Sequence, residues 1–440
     1  MYEVVIGRNE SDRKALGLVG TIFLGKLYVK MGAVTSLSNK IFMDVARAHV
    51  VLIAGKRGTG KSFSAGVIAE EMARLPKEIA NRLAVLIIDT MGIFWTMKFP
   101  NVKDEDLLRE WELPQEGLDV KIYTPEGKFQ EYKEKNIPTD YAFTIRPSEL
   151  TPEEWAGLFG VTVFDPLGVL LERTVSMLRE DKGDNYDVDD ILDSIKMDER
   201  TDVNTQFAAE NRLIAAKGWG VFAKNATPLK EIMKGGQVSV LDISAYSEWT
   251  IKTLVTGILC KKLMRERMEA RKGEEMEDVS RGHSYFSTTF ESAHEEMPIV
   301  WIILDEAHNF LPREGKTLAT DALVQILREG RQPGVCLVLA TQQPGEIHKD
   351  VITQTDIVLS HRITAKRDID ALNAMMQTYA SGDIQKYLNS LPSLPGSAVI
   401  LDDNSERLYP VQIRPRFTWH GGEAPTAVKA KGKSAVELGL

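Results

Sequence analysis

Two clusters of residues have types and spacing that chemistry can use. The first is Gly55-Lys56-Arg57-Gly58-Thr59-Gly60-Lys61-Ser62, followed by Phe63. Its pattern is a glycine, four residues, then Gly-Lys-Ser. Glycines let successive backbone N–H groups turn inward around an anion. A helix starting near Lys61 adds the partial positive charge of its N-terminus. Lys61 then reaches the outer phosphates of a nucleoside triphosphate, and the Ser62 hydroxyl binds Mg²⁺. The second cluster is Asp305-Glu306, directly after the apolar run from Ile299 to Leu304. A strand ending there carries Asp305 to the metal, directly or through water, and sets Glu306 to polarise an attacking water. An apolar run followed by two acids is a weak pattern alone; the glycine loop upstream gives it weight. The expected cofactors are ATP and Mg²⁺, with Gly55 through Phe63 at the nucleotide and Ser62 and Asp305 at the metal.

Further candidates follow Asp305. The helical segment 317–334 ends in Arg328, Glu329, Gly330 and Arg331, and the buried-looking strand 336–344 ends in Thr341-Gln342-Gln343. Gln342 and Gln343 are placed to sense the γ-phosphate, or simply to cap a loop. Arg331, with Arg328 as the other candidate, could stabilise transition-state charge on a neighbour's ATP. The alternative is a cation satisfying a helix dipole.

Elements must hold these groups. His49 to Ala54 reads as a buried strand, and the helix after the glycine loop runs to about Leu75. Continuous apolar runs ending at Asp89, Asp242 and Leu304, with those at 336–344 and 356–363, suit strands covered by helices on both faces. Asp89 falls where ligands gather in open α/β sheets. Residues 91–100 read as a loop packed under its own Phe94 and Trp95, with a substrate-facing loop as the alternative. Residues 1–48 form a small β-rich region, 49–149 and 235–416 two parts of an α/β core, 150–234 a helical insertion, and 417–440 a tail. Thr151-Pro-Glu-Glu has a helix-start signature. The acidic stretch 180–202 reads as solvated surface, 270–297 as a long exposed loop, and Ala398–Leu401 with Val411–Ile413 as a closing hairpin.

Composition narrows the function. The 440 residues are 43% hydrophobic and 27% charged, which suits a chain with a large core. The net charge is −9. A protein that coats nucleic acid over its whole surface is basic, so contact with DNA here needs a local basic lining, for instance inside a ring. No apolar run reaches the ~18–20 residues of a membrane helix, and the N-terminus lacks a signal-peptide core. The expectation is a cytoplasmic protein without direct membrane insertion. Cys260 and Cys336 sit in apolar runs and read as buried small hydrophobes.

The ordered set of glycine loop, ILDEAHNFLP, REGRQPG, VLATQQP, SHRI and LPSLPGSAVI resembles the HerA/FtsK superfamily. More narrowly, it resembles the HerA-like P-loop ATPases with a domain of unknown function numbered 87. The resemblance implies a RecA-like P-loop NTPase core around a mostly parallel sheet. It further implies a homo-hexameric ring, ATP between subunits, and translocation of double-stranded DNA, with a nuclease as one partner class. On that pattern Lys61, Ser62, Asp305, Glu306, Gln342 and Arg331 take the Lys, Ser/Thr, Asp, Glu, sensor and arginine roles. Lys98, Arg313 and Lys316 are candidates for the pore. The alternatives are a nucleotide-controlled scaffold or defence ATPase, and a secretion or conjugation motor.

Overall fold

The computed structural model describes residues 3–31, 34–283, 297–375, 384–392 and 394–422. Thirteen strands among these residues hydrogen-bond into one sheet. Eight run parallel, in the order β11 (Ile357–His361), β4 (Val50–Ala54), β10 (Val335–Thr341), β9 (Ile299–Leu304), β5 (Leu83–Asp89), β8 (Val238–Asp242), β6 (Lys121–Pro125) and β7 (Tyr141–Phe143). Past β11 the sheet continues antiparallel through β12 (Ser397–Asp402), β13 (Arg407–Ile413), β2 (Thr21–Met31) and β3 (Val34–Asp44). The last strand, β1 (Val4–Ile6), pairs parallel with β3.

Alternation along the central strands builds two cores, since successive side chains point to opposite faces. Leu52, Leu86, Ile302 and Leu337 face one, together with Leu170 and Leu171 of the insertion and Leu254 and Val255 of the long helix Trp249–His283. Val51, Ile87, Ile303 and Val338 face the other, against the helix Lys61–Ala73 and the N-terminal strands. Both cysteines are buried and free. Among the described residues no helix is long and apolar enough to cross a membrane.

The N-terminal strands extend the core sheet itself, because β2 pairs with β13 at Leu27, Lys26 and Gly25. The insertion contains helices Pro152–Leu158, Pro166–Lys182, Val188–Lys196 and Val203–Gly218. Thr151 starts the first with the expected reciprocal cap to Glu154. The acidic stretch is only partly solvated: Val188, Ile191, Leu192 and Ile195 form a buried stripe. The Asp89 oxygens are taken up by the N–H groups of Met91, Gly92, Ile93 and Phe94, which folds the loop that follows it.

Two expectations are corrected. Residues 270–283 are helical, the end of a helix of 35 residues. Their mixed charges pair along that helix, Arg271 with Glu274 and Glu275, which supports a helix exposed on one side. Arg267, almost fully buried, anchors it by donating to the carbonyls of Pro333 and Met297. The tail is not free at its start. Phe417 and Thr418 are buried, and the Trp419 N–H donates to Phe99 O at 2.7 Å; residues 423–440 lie outside the described set.

That segment is clamped to the helix Lys61–Ala73. Glu70, fully buried, accepts from Arg414 Nη1 at 2.8 Å, Arg416 Nε at 3.1 Å and Thr418 N at 3.1 Å. Gly66 leaves room for the Arg416 guanidinium, which a Cβ would approach to 2.6 Å. The next residue, Glu71, also pairs with Arg414 and accepts the N–H of Phe23 in β2.

At the opposite sheet edge His49 bridges two carboxylates, with Nδ1 2.6 Å from Asp356 and Nε2 3.2 Å from Asp44, which Arg8 also binds. Burial alone would lower its pKa, but the two acids overturn that and hold it at about 9. A folded pKa above the unfolded value contributes stability below about 6.5 that is lost as pH rises through about 9. The melting temperature should therefore fall between pH 7 and pH 9.5, and thermal unfolding of His49→Gln across that range should lose this slope.

Candidate nucleotide site

The parallel register brings three strand ends to one edge. Thr341 of β10 pairs with Ala54 of β4, and Leu339 of β10 with Leu304 of β9. The strand carrying Thr341 and Gln342 thus lies between the strand that feeds the glycine loop and the strand that feeds Asp305.

The loop turns as its glycines require. Gly58 has φ 76° and Gly60 φ 114°, values that a side chain resists. The Gly55 N–H donates to Thr341 O and the Lys56 N–H to Arg362 O, fixing the loop to both neighbouring strands. Thr59 closes it through a hydroxyl bond to Lys56 O. Lys56, Arg57 and Gly58 are exposed, while Lys61 is buried. Lys61 Nζ lies 3.3 Å from Lys56 O, inside the loop. Burial lowers its pKa, and the nearby Glu306 and Asp305 act the other way. Phe63 points away, edge-on to His420 at 5.5 Å.

The Ser62 hydroxyl donates to Asp305 Oδ2 at 2.7 Å, although 243 residues separate them. A hydroxyl and a carboxylate side by side are the kind of protein ligands Mg²⁺ takes when phosphates supply most of the rest. Glu306 follows with φ 52°, a left-handed conformation uncommon for a non-glycine residue and typical of constrained sites. Gln342 Nε2 donates to its Oε1 at 2.8 Å. Its Oε2 is buried and accepts no hydrogen bond among the described residues; His308 Nδ1 is 3.6 Å away. Burial, then Asp305, raises the Glu306 pKa. Burial also lowers that of His308, keeping it neutral. An orphaned carboxylate oxygen beside the Ser62–Asp305 pair and the buried Lys61 fits a metal-bound triphosphate with an attacking water.

Other expected residues lie elsewhere. Gln343 is exposed, and its N–H donates to Thr341 Oγ1. Arg328 is bound by Asp350 at 2.7 Å. Arg331 is exposed and has no side-chain partner among the described residues. It precedes β10, whose seven residues put it about 20 Å from Thr341. Of the basic residues expected at a pore, Lys98 grips both oxygens of Asp140, Arg313 donates to Gly345 O and Lys316 pairs with Asp321.

Two residues the sequence did not single out support the loop. His361, fully buried at the end of β11, donates from Nδ1 to Ser397 O and faces Ser64 Oγ with Nε2 at 2.9 Å. Burial holds its pKa at about 4, so it is neutral and Nε2 accepts from the hydroxyl. The Ser-His pair closing an apolar strand was the available signal.

The family model described as "Helicase HerA, central domain" matches residues 24–263, and "Helicase HerA-like C-terminal" matches 284–411. The DNA double-strand break repair helicase HerA of Pyrococcus furiosus is 29% identical over 145 residues, 31% of this chain and 26% of that protein. A probable DNA double-strand break repair helicase HerA of Methanocaldococcus jannaschii is 28% identical over 173 residues, 38% of this chain and 33% of that protein. The matched stretches thus span about a quarter to a third of these relatives' length. Among solved structures, VirB4 of Thermoanaerobacter pseudethanolicus superposes with a TM-score of 0.54 at 13% identity, covering 90% of this chain and 96% of that one.

Glu306→Gln should retain nucleotide affinity and lower turnover at least about hundred-fold. A base with a raised pKa loses activity as pH falls through that pKa. Gln342→Ala removes a bond that opposes the rise, so the acidic limb of its kcat–pH profile should move to higher pH.

Proposed function

Because this chain belongs to the HerA helicase family, we propose that it is an ATP-hydrolysing ring motor that moves along double-stranded DNA. The observation that carries hydrolysis is the unpaired Glu306 oxygen beside the Ser62–Asp305 pair. Backbone N–H groups of residues 58–62 cradle the phosphates, and Lys61 neutralises the outer ones. Ser62 and Asp305 would hold Mg²⁺, which when bound would supply charge neutralisation. Glu306 accepts the proton of the attacking water at Oε2. Gln342 keeps the other oxygen engaged, so the carboxylate cannot rotate away.

Arg331 acts on a neighbour. Its place at the amino edge of β10 keeps it from its own site, and its exposure leaves it free to cross an interface. A closed ring, six subunits on the family pattern, gives every site such a neighbour. DNA as the track is supported by the names of the Pyrococcus and Methanocaldococcus relatives. A motor reading charge and not sequence needs only backbone contacts.

Two experiments test this reading. ATPase rate should rise with duplex DNA at low salt; a flat response across duplex lengths rejects the DNA motor. Lys61→Ala and Arg331→Ala should each be inactive alone and regain part of the activity when mixed. The first variant keeps Arg331 for the second variant's intact nucleotide site. No recovery in mixtures that do assemble rejects the trans role.

A further inference from the structure

A cavity of about 600 Å³, lined by no residue of the glycine loop, lies where the insertion meets the middle of the long helix. Arg146, Arg179, Lys261, Lys262 and Arg265 converge on it, against two lining carboxylates, Glu149 and Asp184. Such an excess of positive charge stands out in a chain of net charge −9. Part of it is structural. Lys262 pairs with Glu149 at 2.7 Å, Lys261 with Glu154 at 2.9 Å, and Arg179 donates to Ser148 O and Leu150 O. The carbonyl bonds do not themselves neutralise the Arg179 charge, and the carboxylate that feels it is Glu153. Among the described residues the Arg146 side chain is engaged only through Nε, on Lys224 O. Arg265 is exposed, has Glu266 as a charged neighbour, and forms no side-chain hydrogen bond or ion pair among the described residues. Like charges around a shared concavity repel one another unless an anion joins them.

We propose that this cavity is a second anion site, taking a small polyphosphate such as the phosphate chain of a free nucleotide. Its volume falls in the range of small-molecule sites, about 300–1,000 Å³. Arginine forks suit phosphate oxygens, and the Ser148 and Thr151 positions add polar lining. The site is also placed to be felt at the nucleotide. On the same long helix, Gly257 packs on Leu318 and Ala319, and Trp249 lies edge-on to Phe310, four residues past Glu306.

The full chain carrying Lys61→Ala, which disables the glycine loop, is titrated calorimetrically with inorganic tripolyphosphate. The expected result is one molecule bound per chain. Adding Arg146→Gln and Arg265→Gln should weaken it about ten-fold or more at unchanged melting temperature, whereas Lys316→Gln should not. Absence of binding, or binding indifferent to the double substitution, overturns the proposal. Displacement of tripolyphosphate by a duplex oligonucleotide, with the same sensitivity to substitution, overturns the small-anion assignment in favour of a DNA backbone.

Discussion

The structure depends on one constraint, the in-phase parallel pairing of β4, β10 and β9. Parallel strands share a direction, so their carboxyl ends arrive at one edge whatever distance separates them along the chain. That pairing places Ser62 in hydrogen-bond contact with Asp305 and sets Gln342 against Glu306. A one-residue slip would turn every side chain to the opposite face. It would send Leu339 and Ile303 each into the wrong core and carry the polar strand ends out of step. Packing on both faces therefore fixes the register, and the register fixes the chemistry.

The sites differ in how they handle charge. At the nucleotide edge Lys61, Asp305 and Glu306 are gathered at close range, and only the lysine is engaged with the loop's own backbone. Asp89 and Asp242 end neighbouring strands in equivalent register, yet backbone and Ser244 donors consume their oxygens. Equal positions on the sheet thus serve opposite purposes. A carboxylate that accepts four amide protons shapes a loop, and one left with a bare oxygen keeps an acceptor to offer. Position alone did not separate the two, which is why Asp89 read as a ligand-facing residue.

Much of the central sheet was legible because its signals are local. Continuous apolar runs, the Gly-Lys-Ser loop and the acid pair each sit within ten residues, and their spacing states the chemistry. Features built from distant partners were not legible. The junction of β2 with β13 joins segments almost 400 residues apart, so the N-terminal strands looked like a separate region. The helix through residue 283 was hidden because alternating charge marks both loops and exposed helices, and only the seat of Arg267 on Pro333 decides between them. His361 was seen as part of a motif, but its role appears only where Ser64 and Ser397 close around it. Arg414 and Arg416 carried no signal of their own in the sequence, although a glutamate in the helix Lys61–Ala73 keeps them fully buried.

That last cluster has a mechanical meaning. Separating Glu70 from its two arginines would strand charges in a dry interior, at a cost of several kcal/mol. The helix behind the phosphate loop therefore cannot pivot alone. It tows the strand preceding the arginines, and through that strand the outer hairpin of β2 and β3. A tilt at the triphosphate would emerge at the far rim of the sheet as the swing of a rigid lever.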